Sequence, residues 1–279
     1  MLQKTHRHAG KGLPVENELL NGKIDEVADL VLRSRNIVAF TGAGISTESG
    51  IPDFRSPGGI WSRFDPSDFT IDKFLNDRES RKKQWKFLLD GGFFAAAQPN
   101  RAHYALARLE KMGKLQGVIT QNIDNLHQMA GNSPDRVFEL HGNMGRVRCM
   151  DCNRLSPLEE IVRRVGEGEE TPECLHCSGI LKPDVVLFGE SLPRAVLSAA
   201  IDRASRCDLL LVIGSSLVVY PAAYVPAYAL EGRAKLVIIN LTATGCDIDA
   251  SVVIHEKAGE VMERILTRVE IILETANPL

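Results

Sequence analysis

Short apolar runs that end in glycine or small polar residues constrain this chain more than any other feature. They lie at residues 36–40, Leu115–Thr120, 208–213 and 235–240, and most are unbroken rather than alternating. An unbroken run suits a strand covered on both faces, as in a parallel sheet. Stretches with helical spacing separate the runs, at residues 24–33, 101–112, 193–204, 221–230 and 259–274. Strands alternating with helices imply parallel βαβ units with right-handed crossovers. The uncharged stretch 209–228 holds Gly214, Ser215, Ser216, Pro221 and Pro226, which would break a spanning helix twice. It reads as a buried strand, a loop and a covered helix, so no membrane partner is expected.

Charge is close to balanced: 33 Lys+Arg stand against 36 Asp+Glu, a net −3 over 279 residues. Such a chain has no basic field, so nucleic acid is not an expected partner. The 44% hydrophobic and 25% charged content suits a folded soluble protein and excludes a collagen or a disordered tail. Residues 1–20 lack the apolar segment of a secretory signal. They read as a mobile or weakly docked extension, and the expected compartment is the cytoplasm.

Four of the six cysteines form two pairs, Cys149-x2-Cys152 and Cys174-x2-Cys177, with 21 residues between the pairs. Two such knuckles can meet around one tetrahedral ion, and thiolates suit a closed zinc site. Four thiolates leave no open coordination position, so the zinc is expected to be structural. Residues 143–180 then form a zinc-ribbon module too small to fold without its ion. A polar, helix-prone module occupies residues 49–94. Cys207 and Cys246 read as small buried hydrophobes.

After the first strand the chain reads Gly42-Ala43-Gly44-Ile45-Ser46-Thr47. Glycines there allow a tight turn and close backbone approach, and N–H groups at a helix start suit a pyrophosphate. Thr47 stands where a third fingerprint glycine belongs, and no acidic residue ends a second strand about twenty positions on, so a dehydrogenase mode is not expected. Later strands end in Thr120-Gln121-Asn122-Ile123-Asp124, Gly214-Ser215-Ser216 and Asn240. Any one of these alone reads as a cap or a turn. Together, at the strand edge where open α/β sheets bind ligands, they imply one nucleotide-sized cleft. Histidine is the usual general base near neutral pH. Composition leaves His103, His127 and His141 all open, although His141 follows a further possible strand end at residues 137–140.

The glycine turn, Gly50-Ile51-Pro52-Asp53-Phe54-Arg55, the segment 120–124, His141-Gly142, the two cysteine pairs, residues 185–190 and Gly214-Ser215-Ser216-Leu217 follow one another as they do in sirtuins. The chain resembles that family of NAD-dependent protein-lysine deacylases over residues 25–265, and its segments 120–131 and 139–152 look closest to bacterial and mitochondrial-type members. The resemblance implies a Rossmann-type parallel sheet with helices on both faces, built from residues 21–48, 95–142 and 181–279. A smaller zinc-binding and helical module completes the fold. It implies NAD as a consumed co-substrate and acyl-lysine proteins or peptides as partners. Gly42, Ala43, Gly44, Ile45 and Ser46 would hold phosphates, and Asp53, Phe54, Arg55 and Trp61 would form the cofactor loop. Gln121, Asn122, Ile123 and Asp124 would surround the nicotinamide ribose and amide. Gly214, Ser215, Ser216, Asn240, Leu241, Thr242 and Ala258 would take the adenosine end. Val185, Val186, Phe188 and Gly189 would line the peptide tunnel, where an extended substrate can add as a strand.

On that resemblance the acyl-lysine oxygen attacks C1′ of the nicotinamide ribose, and nicotinamide leaves already cationic, so positioning matters more than acid catalysis. His141, with Asn122 beside it, serves as the catalytic pair, the imidazole acting as base on the ribose hydroxyl. Water then frees the lysine, and the acyl group departs on ADP-ribose. Succinyl- and malonyl-preferring sirtuins carry a Tyr-x-x-Arg pair in the helical module. Residues 80–95 contain no Tyr, so a dicarboxylate tip would be buried unpaired. Acetyl or longer apolar acyl groups are expected. A protein mono-ADP-ribosyltransferase is the alternative, separable by the mass of the products.

Overall fold

A computed structural model describes residues 14–276 apart from 91, 93 and 95. Along the chain run α1 (Pro14–Arg33), β1 (Ile37–Thr41), α2 (Ile71–Asn76), α3 (Arg78–Leu89), α4 (Arg101–Lys111), β2 (Leu115–Thr120), α5 (Leu126–Ala130) and β3 (Val137–Glu139). They are followed by β4 (Gly142–Cys149), β5 (Leu155–Pro157), α6 (Leu158–Gly166), β6 (Leu181–Val185), α7 (Arg194–Ser205) and β7 (Leu209–Ile213). The chain finishes with α8 (Val225–Glu231), β8 (Lys235–Ile239), β9 (Val252–Ile254) and α9 (Ala258–Ala276).

Strands β1, β7 and β8 sort their side chains by the two-residue period of a strand. Ile37 and Ala39, Leu209 and Leu211, and Val237 and Ile239 face a core completed by Ile24 and Val31 of α1, Leu106 of α4, and Met262 and Ile265 of α9. Their neighbours Val38, Phe40, Leu210, Val212, Leu236 and Ile238 face a second core, closed by Ala200 and Ala204 of α7 and Val225 and Ala229 of α8. Each large side chain withdrawn from water in this way contributes about 1.5–3 kcal/mol. Burial on both faces is the physical reason that the runs are unbroken.

Six strands form one parallel sheet in the order β3-β2-β1-β7-β8-β9. Chain direction across the sheet reverses between β1 and β7, the position at which open α/β sheets bind ligands. Thr41 pairs with Thr120 on one side and with Ile213 on the other, so β1, β2 and β7 end level. The loops that follow them therefore emerge at one edge.

A second, three-stranded antiparallel sheet runs β5-β4-β6. Its core joins Val147 and Cys149 of β4, Leu181 of β6, Ile161 of α6 and Cys174 to Trp85 of α3. The two modules expected separately at residues 49–94 and 143–180 thus share one core. Strand β6 pairs with β4, which moves residues 181–185 from the large domain, where the sequence boundary put them, into the small one. Two further boundaries differ. Helix α1 begins at Pro14, so residues 14–20 belong to it rather than to an extension, and residues 1–13 lie outside the described residues. The helix expected at 221–230 is a 3₁₀ turn, Ala222–Tyr224, followed by α8. Pro226 sits in the first turn of α8, where its missing N–H costs nothing. Among the described residues no helix is long and apolar enough to cross a membrane.

Candidate active site

The site begins where β1 and β7 part. The turn after β1 lies directly on the end of β7, and the Gly44 N–H donates to the Gly214 carbonyl at 2.8 Å. No side chain fits in that seam. A Cβ on Gly42 would lie 2.8 Å from the Gly214 oxygen, and one on Gly44 would lie 2.8 Å from the Gly214 Cα. Gly214 has φ +62°, and its Cβ would fall 2.1 Å from the Ile45 nitrogen. The glycines are thus required by the close packing of the β1 turn on the end of β7.

Polar groups from three strand ends interlock beside this turn. Ser46 Oγ donates to Asp124 at 2.7 Å, and Asn122 Nδ2 donates to Ser46 Oγ at 3.1 Å. Burial raises the Asp124 pKa, against the pull of hydrogen bonds from the Leu126 N–H and Ser46. The Gln121 N–H donates to the Thr41 carbonyl at 2.9 Å, and its side-chain Nε2 donates to Ser215 Oγ at 2.8 Å. Its own carbonyl accepts from His141 Nδ1 at 2.8 Å. A carbonyl can only accept, so Nδ1 of His141 carries the proton and Nε2 keeps its lone pair. Burial lowers the His141 pKa, and the Gln121 carbonyl recovers part of that shift. The ring is therefore neutral near pH 7.

The three histidines that the sequence left open now separate. His103 and His127 are wholly buried, at 0% and 1% exposure, whereas His141 stands between the strand-end cluster and the edge of the small sheet. Its carbonyl accepts from the Val186 N–H at 2.9 Å. Next to it Gly142 has φ +80°, and a Cβ there would lie 2.0 Å from the Asp184 carbonyl.

Residues 185–190 form the outer wall. Phe188 exchanges main-chain hydrogen bonds with the segment before α2: its N–H reaches the Phe69 carbonyl at 3.0 Å, and its carbonyl accepts from the Ile71 N–H at 2.9 Å. Its half-exposed ring lies 5.6 Å from Trp61, which itself lies 5.3 Å from Phe54. The expected cofactor loop and the expected peptide edge therefore touch. Asp53 folds its loop by accepting from the N–H groups of Arg55 at 2.9 Å and Ser56 at 2.7 Å. Partial burial opposes ionisation of Asp53, but those bonds and Ser56 Oγ hold its pKa below the usual value. This loop lines an open cavity of about 330 Å³ that also involves Thr47 of the glycine turn and Arg63, a residue no sequence motif singled out.

Farther along the edge, Asn240 Nδ2 donates to the Thr242 carbonyl at 2.7 Å, and the Asn240 carbonyl accepts from His255 Nδ1 at 2.9 Å. Leu241 is exposed. Ala258 opens α9, where Glu48 accepts from the Gly259 N–H at 2.6 Å and ties the glycine turn to that helix. Asn240, Leu241, Thr242 and Ala258 thus stand at the β8 and β9 end of the edge, away from His141.

The sulfurs of Cys149, Cys152, Cys174 and Cys177 lie within 4.8 Å of one another. Cys149 and Cys177 are 3.5 Å apart, and Cys152 and Cys174 3.7 Å. A tetrahedron of 2.3 Å zinc–sulfur bonds has edges of about 3.8 Å, so the four thiolates fit the ion. Cys207 is buried and its thiol is pushed up to about 12, mainly by burial and also by Asp208, which suits packing rather than chemistry.

The chain is similar to known proteins over most of its length. A protein from Caldivirga maquilingensis named NAD-dependent protein deacetylase is 48% identical over 90% of this chain and 96% of its own. NAD-dependent protein deacylase 2 of Archaeoglobus fulgidus is 44% identical over 90% of this chain and 98% of its own. A Sir2 structure with a deacetylated p53 peptide and 3′-O-acetyl ADP ribose superposes with TM-score 0.79 at 41% identity, over 88% of this chain and 97% of that one. Residues 42–221 match the Sir2 family itself. With its parallel sheet, glycine turn and four-cysteine module in that family's order, the chain belongs to the Sir2 family.

Proposed function

We propose that this protein removes acetyl or longer apolar acyl groups from lysine side chains, consuming NAD and releasing nicotinamide and O-acyl-ADP-ribose. The observation that carries the reading is the state of His141: its Nδ1 proton is held by the Gln121 carbonyl, and its Nε2 lone pair is left for a substrate. The names of the relatives and the acetyl-ADP-ribose in a solved Sir2 structure support it.

NAD supplies a ribose whose C1′ carries a leaving group that is already cationic. The glycine turn Gly42–Ser46 takes the phosphates, with Asp53, Phe54, Arg55 and Trp61 closing over them. Ser215, Ser216, Asn240 and Leu241 hold the adenosine end. Asn122 and Asp124, held by Ser46, orient the amide and ribose end. An acyl-lysine peptide extends along Val185, Val186, Phe188 and Gly189, using the edge of β6 as an added strand. His141 Nε2 then accepts the proton of a ribose hydroxyl, and the Gln121 carbonyl stabilises the imidazolium through Nδ1–H. The aromatic contact between Trp61 and Phe188 closes the apolar passage and keeps water from the reacting carbon.

Succinyl and malonyl groups are poor substrates, because no Tyr-x-x-Arg pair is present in α3 to meet a second carboxylate. Trp85, the largest side chain of that helix, packs into the small domain's core instead of facing an acyl group. We place the protein in the cytoplasm, where thiolate zinc ligands stay reduced.

The deciding experiment incubates the protein with NAD and matched acetyl, propionyl and succinyl peptides and weighs the products. Acyl-ADP-ribose plus free lysine is expected, and His141→Ala should lose turnover while keeping its fold. An ADP-ribosylated acceptor with the acyl-lysine intact would instead establish a mono-ADP-ribosyltransferase.

A further inference from the structure

Behind the strand ends, away from the cleft, lie two buried imidazoles that the mechanism above does not use. His103, in the first turn of α4, and His127, in α5, meet at a tilt of 57° with ring centroids 5.0 Å apart. His103 Nδ1 accepts from the Asn100 N–H at 3.3 Å, so its proton is on Nε2. His127 Nε2 lies 2.9 Å from Thr41 Oγ1, and that hydroxyl donates onward to Thr120 Oγ1 at 2.8 Å. Thr41 has a single proton to give, so His127 Nε2 is the donor to Thr41 and its Nδ1 is bare. The two ring nitrogens left over, His103 Nε2 and His127 Nδ1, are both buried and without a hydrogen-bond partner among the described residues. One is a donor and the other an acceptor, on neighbouring rings.

Those assignments make two hydrogen-bonded segments, Asn100 with His103, and His127 through Thr41 to Thr120, joined by the contact of the two rings. At the far end Thr120 Oγ1 also accepts from the Asn122 N–H at 3.0 Å. At the near end Asn100 Nδ2 donates to the Ile45 carbonyl of the glycine turn at 2.7 Å. The two segments and the ring contact between them thus span the back of the site, from the phosphate turn to the loop carrying Asn122. Burial lowers the pKa of both rings, that of His103 to about 4, so neither becomes charged near neutrality.

We propose that His127, backed by His103, is a positioning residue: it orients the Thr41 and Thr120 hydroxyls and through them sets the main chain of Asn122, touching neither NAD nor peptide. The proposal rests on the deacylase reading for its effect on turnover, but the proton positions can be tested without any substrate. Nitrogen-15 NMR of the wild-type protein should show both rings as the Nε2–H tautomer, unchanged between pH 6 and 8. An Nδ1–H tautomer at His127, or a ring that titrates in that range, would overturn it.

The kinetic test compares His127→Leu with His127→Gln, whose amide can replace the lost donor to Thr41. Displacement of a catalytic loop by a fraction of an ångström lowers turnover, so the leucine variant should lose about tenfold or more in kcat with the peptide KM unchanged. The glutamine variant should stay within about threefold of wild type, a rescue that a merely structural role would not give. Equal losses in both, or full kcat in the leucine variant, would overturn the proposal. Thr41→Val removes the same link without altering the histidine, so it decides the matter if His127→Leu fails to fold: loss of kcat supports the relay, and full kcat sinks it. A wild-type chain that releases no nicotinamide would end the deacylase reading, while the tautomers would still decide the relay.

Discussion

His141 can serve as a base only while neutral, and its surroundings set when that holds. Burial pushes its pKa below 6.5, the value at which an unconstrained imidazole is half protonated. As pH falls the ring therefore stays neutral longer than a free one, and the acid limb of kcat/KM for the acyl peptide should lie below pH 6.5. A profile between pH 5 and 8 checks this, and a limb above 6.5 would contradict it. Gly44 makes a second test. Its Cβ would meet Gly214 backbone at 2.8 Å, with no flexible side chain to give way. Gly44→Ala should weaken NAD binding by about tenfold or more, read by calorimetric titration, as the turn is forced off the strand end. Of these residues the glycines were legible from chemistry alone, since a turn between strand and helix asks for them. His141 was not separable from His103 and His127 by composition, because what distinguishes them is which ring is walled in. That depends on the register of β1 against β2, which no local pattern encodes.

Among the elements, the parallel strands could be read because burial on both faces leaves an unbroken apolar trace. The zinc-binding module could also be read, from its two cysteine pairs; that it shares one core with the helices of residues 49–94 could not. Trp85 of α3 packs against Val147, Ile161 and two of the cysteines, so α3 is held by the same cluster that the ion would close. The amino-terminal half of α1 leaves a weak trace in the sequence, since among residues 17–23 it is Leu20 that packs on the core. A physical consequence follows for the metal. Chelation of zinc should do more than loosen the cysteine knuckles: it should open the core around Trp85, shifting its fluorescence to the red, while β1, β7 and β8 keep their circular dichroism. The protein has two tryptophans, so the Trp61→Phe variant isolates the signal. An unshifted spectrum after complete zinc removal would show that α3 holds its place without the ion.

For the whole molecule the question is what fixes the small domain over the large one, because His141 lies at their junction. Glu139 ends β3 of the large sheet and Asp184 lies on β6 of the small one. Arg146 of β4 bridges them, at 2.9 Å to Glu139 and 3.1 Å to Asp184. Arg148 adds a second bond to Asp184 at 2.8 Å, and Gln128 donates to Glu139 at 2.7 Å. Both carboxylates are largely covered, with side-chain exposures of 12% and 14%, while Arg146 is 43% exposed. The arginine's own burial is thus incomplete, but its removal would leave two sheltered carboxylates facing each other across the junction with fewer donors. Losing one partner of a well-buried pair costs about 3–5 kcal/mol, and exposed pairs contribute about 0–1 kcal/mol. Partial exposure places Arg146→Leu between these limits, at about 1–2 kcal/mol of unfolding free energy by urea titration. Asp184→Asn relieves the charge conflict and should recover part of that loss in the double variant, more so at low salt, where screening is weak. Because Glu139 and Gly142 flank the base, the single variant should also lower kcat/KM several-fold at full zinc content. Unchanged stability and turnover in Arg146→Leu would mean that main-chain pairing between β4 and β6 alone sets the angle between the two sheets.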